Sequence, residues 1–154
     1  MSAAANQATF ERNVATIRAY FNGFIERDIE GQLDLIAADL KYSPANYNGN
    51  VWLGKDDMRQ VLQYFFDNFD DIIFIEGLGR TSGESRGFFG GSAHPPNDDP
   101  NEINIIGTWT PTYRETGKKI YNKYFCIAKF NEAGKIDYLS EFFDANGIQV
   151  QLES

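Results

Sequence analysis

The segment Gly117–Asp144, GKKIYNKYFCIAKFNEAGKIDYLSEFFD, admits few architectures. Two aromatic-rich runs with a period of two flank the turn Asn131-Glu132-Ala133-Gly134-Lys135. That pattern is a long antiparallel hairpin. Its second arm carries one carboxylate, Glu141, among apolar residues on a face where a half-buried strand is expected to be apolar. An acid inside a sheet is costly unless it is paired or used. Glu141 therefore marks the place where chemistry is expected.

The rest of the chain decides what covers the hairpin. Phe10, Val14, Ile17, Phe21 and Phe24 recur at spacings of four and three, which predicts an amphipathic helix over roughly 10–27, with Tyr20 on the edge of its apolar stripe. Asp28 and Gly31 punctuate a break. Leu33, Ile36, Ala37 and Leu40 then suggest a short second helix, and Leu40–Pro44 a short strand ending at the proline. After the turn-rich loop Tyr47–Gly54, Asp56 or Asp57 can cap a third helix carrying Met58, Val61, Leu62, Phe65, Phe66 and Phe69. Strands are expected over Ile72–Glu76, Ile103–Arg114, Lys118–Phe130 and Lys135–Asp144. Helices first and a meander of strands afterwards give an α+β fold, with helices on one face of a curved antiparallel sheet.

Between the first two long strands lies Thr81–Glu102, TSGESRGFFGGSAHPPNDDPNE, whose Gly, Ser, Pro and Asp content predicts loop. Loops of this length are usually lids, binding loops or disordered. Phe88-Phe89 inside it are expected either to fold over a pocket mouth or to pack on a partner. No repeat or boundary interrupts the chain, so one domain is expected over residues 1–154, with an inserted loop at about 81–102.

Composition removes several classes of function. The net charge is −8 and no basic cluster extends beyond Lys118-Lys119, which argues against nucleic acid and anionic membranes. The single cysteine, Cys126, excludes an internal disulfide and a Cys-based zinc site. The opening MSAAANQATFERN lacks the basic flank and apolar stretch of a signal peptide, and no run reaches membrane-span length. A cytoplasmic protein is the default expectation. Thirteen Phe and eight Tyr must line something large, either a core or a ligand pocket.

Taken in order, AYFNGFIERDIEGQLDLIAADL (19–40), LGKDDM (53–58), KFNEAGKI (129–136) and EFFDANGIQVQL (141–152) resemble the NTF2-like superfamily. Its relatives include SnoaL-like polyketide cyclases, ketosteroid isomerase, scytalone dehydratase and limonene epoxide hydrolase. The resemblance covers roughly residues 10–152. It implies an NTF2-like (cystatin-like) cone of three N-terminal helices on a curved, mostly antiparallel sheet enclosing an apolar pocket. It also implies that the pocket acid of SnoaL-like and epoxide-hydrolase relatives falls on Glu141. Carrying that register back places Phe143, Leu139, Tyr124, Cys126, Ala128, Trp109, Pro111 and Tyr113 inside. The opposite face, with Phe125, Ile127, Tyr138 and Phe142, is also apolar, so a homodimer is expected.

Most of the relatives' catalytic residues do not carry over. The oxyanion-hole tyrosine of ketosteroid isomerase matches Tyr20, but its general base falls near Ser43 or Pro44 and its protonated acid on Cys126. Limonene epoxide hydrolase's last aspartate matches Glu141 and its water-positioning tyrosine Tyr42, while its arginine and other aspartate fall on Gly107 and Trp109. Glu141, Tyr20 and Tyr42 are thus the catalytic candidates, and Trp109, Tyr113, Tyr124, Cys126, Leu139 and Phe24 the ligand-binding ones. Glu141 either transfers protons in an aromatic cone or is a carboxylate held by a tyrosine or by the loop, without turnover.

Other residues have plainer expected roles. His94 is a lone loop histidine, Asp98-Asp99 a solvated pair, and Cys126 a small buried hydrophobe. Asp144 ties down the tail. No metal and no cofactor are expected. The sequence thus supports two functions. One is a binder of a small apolar or aromatic molecule with cofactor-free acid–base chemistry of cyclase, isomerase, dehydratase or hydrolase type. The other is a non-catalytic ligand-binding or protein-interaction module.

Overall fold

A computed structural model describes residues 3–77, 88–90 and 99–154, the segment 88–90 by its backbone. His94 and Asp98 lie outside the described residues, as does most of the expected loop over 81–102.

Helix α1 spans Ala3–Glu26 and buries Val14, Ile17, Tyr20, Phe21 and Phe24, the stripe that the spacing predicts. It starts two turns earlier than that stripe because Ala3, Ala4 and Ala5 are the best helix formers available. It ends at Arg27, which turns left-handed at φ 57. The Arg27 guanidinium then donates to the carbonyls of Phe66 and Phe69, the latter at 3.0 Å. One side chain so satisfies carbonyls at the end of another helix, where intrahelical donors run out.

Helix α2 is shorter and earlier than expected, Ile29–Asp34. Asp28 starts it by accepting from the Gly31 amide at 2.9 Å. Strand β1, Ile36–Ser43, takes up residues that the spacing assigned to a helix. The cause is a register shift between Ile36 and Lys41. It leaves Ile36, Ala37 and Leu40 all buried, a spacing that mimics a helical stripe.

Helix α3, Lys55–Asn68, has Gly54 and not an aspartate at its N-cap. Asp57 instead reaches back from the first turn to accept from the Gly54 amide at 2.8 Å. Met58, Leu62 and Phe66 are its buried face. Leu62 and Ile17 are fully buried, and each such side chain stabilises the fold by roughly 1.5–3 kcal/mol. Phe69 leaves the helix to open strand β2, Phe69–Glu76.

The remaining strands are β3 (Phe88–Gly90), β4 (Glu102–Tyr113), β5 (Lys118–Lys119), β6 (Asn122–Phe130) and β7 (Ile136–Phe143). Residues 88–90, expected as loop, are therefore strand. They pair with β4 at Ile103–Ile105, just beyond the stretch that β2 occupies. The expected strand over Lys118–Phe130 is broken where Ile120 donates its amide to the Pro111 carbonyl at 2.8 Å.

The sheet runs β1-β7-β6-β4-β2, with β3 and β5 paired to β4. It is mixed, because β1 lies parallel to β7 while the other pairs are antiparallel. The helical N-terminal part packs on this curved, unclosed sheet, and the α+β expectation holds.

The β6–β7 turn is as read from the sequence. Asn131 accepts from the Lys135 amide at 3.0 Å, and Gly134 supplies a φ of 76 that a β-carbon would oppose. The hairpin register opposes Tyr124 to Phe143, Cys126 to Glu141 and Ala128 to Leu139. After β7, Asp144 accepts from the Gly147 amide at 2.7 Å and starts helix α4, Ala145–Glu153. The aspartate expected to tie down the tail does so as a helix cap.

Candidate functional site

Period two places Asn122, Tyr124 and Cys126 of β6 on one face with Glu141 and Phe143 of β7. Helices α1 and α3 close over that face. Between them remains a cavity of about 40 Å³, lined by Tyr20, Phe21, Phe24, Val61, Leu62, Phe65, Trp109, Asn122, Tyr124, Glu141, Phe143 and Ile148, with Met58 at its wall. Such a volume holds roughly three water molecules. The cone is otherwise filled by rings: Trp109 meets Phe65 edge-on at 5.2 Å and Phe69 at 5.4 Å.

Glu141 is half-buried by surface area, yet it lines this interior cavity, so the area it keeps faces the cavity and not bulk solvent. The Tyr42 and Tyr124 hydroxyls stand beside its carboxyl and favour its charged form. Burial raises its proton affinity above the ordinary value, and the two hydroxyls counter only part of that rise. Burial also pushes Tyr42, Tyr20 and Tyr124 upward, with the Glu141 charge adding to each. The Cys126 thiol is raised by burial and then by the Glu141 charge, so it stays protonated and inert as a nucleophile.

Tyr42 is held from two sides. Its strand runs parallel to β7 with Tyr42 opposite Leu139, and its backbone exchanges hydrogen bonds with Leu53 at 2.8 and 2.9 Å. The Tyr20 hydroxyl is less committed. Its partner is the Met58 sulfur at 3.6 Å, a weak acceptor that leaves the hydroxyl available to an incoming oxygen.

Of the residues expected at the site, Glu141, Tyr20, Tyr124, Trp109 and Phe24 line the cavity. Tyr42 stands behind Glu141 and touches it without lining the space. Three do not reach it. Tyr113 swings to the sheet end, where its hydroxyl donates to Glu115 at 2.6 Å. Leu139 and Cys126 are buried at 2% and 0% exposure beneath the cavity floor. Sequence reasoning missed Asn122 and Ile148. Asn122 lies on the same alternation as Tyr124 and Cys126, one step further back, and that signal was available. Ile148 comes from α4, which no strand pattern implies. Among the described residues, no three His, Cys, Asp or Glu side chains cluster to hold a metal ion.

No family model matches the sequence, and no curated protein matches it either. Solved structures do resemble it. PrhC from Penicillium brasilianum is 15% identical at TM-score 0.73, covering 94% of this chain and 88% of its own. BvnE pinacolase from Penicillium brevicompactum is 12% identical at TM-score 0.71, covering 93% and 90%. An NTF2-like protein from Burkholderia pseudomallei is 16% identical at TM-score 0.68, covering 93% and 98%. Similarity of structure at such low identity speaks of architecture, and it agrees with the resemblance in the sequence: the chain has the NTF2-like fold.

Proposed function

We propose that the chain binds a small apolar or aromatic molecule in the cone and that Glu141 transfers a proton on it. The observation that carries this reading is a carboxyl in an aromatic cavity, flanked by the Tyr42 and Tyr124 hydroxyls and raised in proton affinity by burial. A carboxyl so poised is a general acid when protonated and a general base when ionised, at a pH closer to neutrality than a free glutamate permits. Tyr20, whose hydroxyl has a thioether as its partner among the described residues, supplies a donor toward a carbonyl or hydroxyl oxygen of the bound molecule. Tyr42 and Tyr124 fix the carboxyl. The reaction class is cofactor-free cyclisation, isomerisation, dehydration or hydrolysis. The similarity to a pinacolase is in keeping with chemistry on such a scaffold, although fold alone does not carry function.

The cavity sets a condition. A drug-sized ligand needs several hundred Å³, against about 40 Å³ here. Binding therefore requires the half-buried Val61, Phe65, Phe143 and Ile148 to give way. The filled cone favours a second reading, a non-catalytic module whose cone is a core. Native mass spectrometry of the purified chain tests the first: a co-purifying small molecule supports it, and its displacement should follow substitutions at Tyr20 or Trp109. Glu141→Gln should then keep affinity and lose turnover. Unchanged turnover removes Glu141 from the mechanism.

The outer sheet face supports a homodimer in the same proposal. Ile73 and Phe142 are 41% and 53% exposed there, and Phe142 pairs with Phe125 at 5.7 Å. A second copy would cover this apolar surface. Sedimentation of Phe142→Lys against the unmodified chain checks it.

A further inference from the structure

We infer that Phe74 is a positioning residue for the site: seated over Gly107, its ring holds the Tyr124 hydroxyl beside the Glu141 carboxyl. The inference rests on the proton-transfer reading above and adds the residue that aims the partner of its acid. Phe74 is not part of the cavity lining, so it acts through Tyr124.

Tyr124 and Glu141 are diagonal neighbours on the inner face of the β6–β7 pair, since Tyr124 opposes Phe143 and Cys126 opposes Glu141. That separation is within reach of a tyrosine side chain, provided its ring is held toward the carboxyl. On the other side of β6, Tyr124 opposes Gly107 of β4, which has no side chain to hold it. Glu76 of β2 is registered opposite Gly107 but turns away to Arg18 of α1 at 2.8 Å. Phe74, one alternation back on β2, fills the space. A β-carbon on Gly107 would come within 2.3 Å of the Phe74 ring and 2.5 Å of the Ile75 carbonyl oxygen. The ring therefore lies where a side chain at 107 would stand, a close approach that a strand glycine permits.

The seated ring is then locked. Phe21 of α1 stacks on Phe74 with centroids 4.1 Å apart and planes 9° from parallel. Tyr124 meets Phe74 edge-on at 5.6 Å and Phe21 at 5.9 Å, and it stacks with Phe143 at 6.2 Å. Rings from α1, β2 and β7 thus restrain Tyr124 on three sides, in geometries that aromatic pairs favour. The titratable groups facing Glu141 are Tyr20 from α1, Tyr42 from β1, and Tyr124 and Cys126 from β6. Helices α3 and α4 present Met58, Val61, Leu62, Phe65 and Ile148, none of which titrates. Burial raises the three tyrosines and the cysteine, so they stay protonated while Glu141 titrates. Of the two hydroxyls that favour its charge, Tyr42 is fixed by its strand pairing and Tyr124 by these rings.

Carbon-13 NMR of the glutamate carboxyl carbons tests this, the Glu141 signal being the one absent from Glu141→Gln. Phe74→Leu is expected to raise the pH midpoint of Glu141 by about one to two units, the worth of one hydrogen bond to a charged group. Tyr124→Phe should raise it equally, and the double variant no further than either alone. Phe66→Leu controls for a loosened core. Among the described residues its ring contacts are Phe24 and Arg27, so the chain should lose stability with the midpoint unmoved. An unmoved midpoint in Phe74→Leu, a fully additive double variant, or an equal rise in Phe66→Leu overturns the inference. Should Phe74→Leu not fold, Phe21→Leu decides in its place, because it removes the ring stacked on Phe74. A rise there upholds the positioning and an unmoved midpoint overturns it. The reading above fails separately: a wild-type midpoint at the ordinary carboxyl value removes its basis, whereas a rise from that value in Phe74→Leu still upholds the positioning.

Discussion

Replacing Glu141 by glutamine isolates the electrostatic state of the site without emptying it. Glutamine nearly matches glutamate in shape and keeps a carbonyl oxygen beside Tyr42 and Tyr124, so contacts stay close to native and only the ionisable proton is lost. In wild type two effects oppose each other: burial holds the carboxyl neutral, and the two tyrosine hydroxyls favour its charged form. Burial is the larger, so the folded chain binds the Glu141 proton more tightly than the unfolded chain, whose carboxyl titrates near its ordinary value of 4.5.

The sign then follows from linkage. Above that value the unfolded state releases its proton while the folded state keeps it, so stability falls as pH rises, by about 1.4 kcal/mol per pH unit, until the folded carboxyl also ionises. Below it both states are protonated and nothing is lost. One pH unit of that slope is between about a tenth and a quarter of a typical domain's stability of roughly 5–15 kcal/mol. Urea unfolding of both proteins between about pH 4 and pH 8 measures it. The stability of Glu141→Gln minus that of wild type should be lowest at the acid end, climb with that slope, and level off. A flat difference, or one that declines with pH, would mean that the tyrosine hydrogen bonds outweigh burial. The acid–base assignment would then lose its physical basis.

Tyr42→Phe removes one donor to the carboxylate, worth about 1.5–3 kcal/mol to the charged form. The pH-dependent loss of stability should therefore extend to higher pH and deepen by about that amount in the same assay. Gly23→Ala should destabilise, although alanine is ordinarily about 1 kcal/mol better inside a helix. Its β-carbon would sit 2.3 Å from Gln32 Cγ, and overpacking of that kind costs about 1–3 kcal/mol, read as a lower melting temperature. Gln151 exchanges two hydrogen bonds of 2.9 Å with the Tyr121 backbone and so fastens α4, a helix with no buried residue, beside the cavity. In a Trp52→Phe background, Gln151→Ala should raise acrylamide quenching of the buried Trp109 severalfold without a matching loss of global stability. Unchanged quenching would show that α4 does not control access.

The fold was legible where side-chain periodicity reports directly on a buried face. The stripe from Phe10 to Phe24, and the alternation through Tyr124, Cys126, Leu139 and Glu141, each have one partner surface, so period and burial coincide. Legibility failed at β1, where a bulge made Ile36, Ala37 and Leu40 look helical, and at Phe88–Gly90, whose glycine-rich surroundings hid three residues of strand. For the site, register placed Glu141 beside Tyr124 but could not foresee that Tyr113 would turn to Glu115. It also could not foresee how far Phe24, Phe65 and Trp109 would fill the cone. Ring packing depends on rotamers, and rotamers depend on every neighbour at once.

The parallel pairing of β1 with β7 has a consequence in time. The β6–β7 hairpin closes through a turn of a few residues, whereas Tyr42 and Glu141 are brought together across about two thirds of the chain. Closing a loop of that length carries an entropic penalty of about 4 kcal/mol plus a constant before any contact rewards it, and such distant pairings tend to form late. The carboxyl would thus exist early in folding beside Tyr124 but acquire its second tyrosine, Tyr42, only when the last strand is seated on the first. Tyr42→Phe should accordingly hasten unfolding and leave the folding rate nearly unchanged. A chain stalled short of its native state would carry the hairpin and all its aromatic residues, yet hold no poised proton.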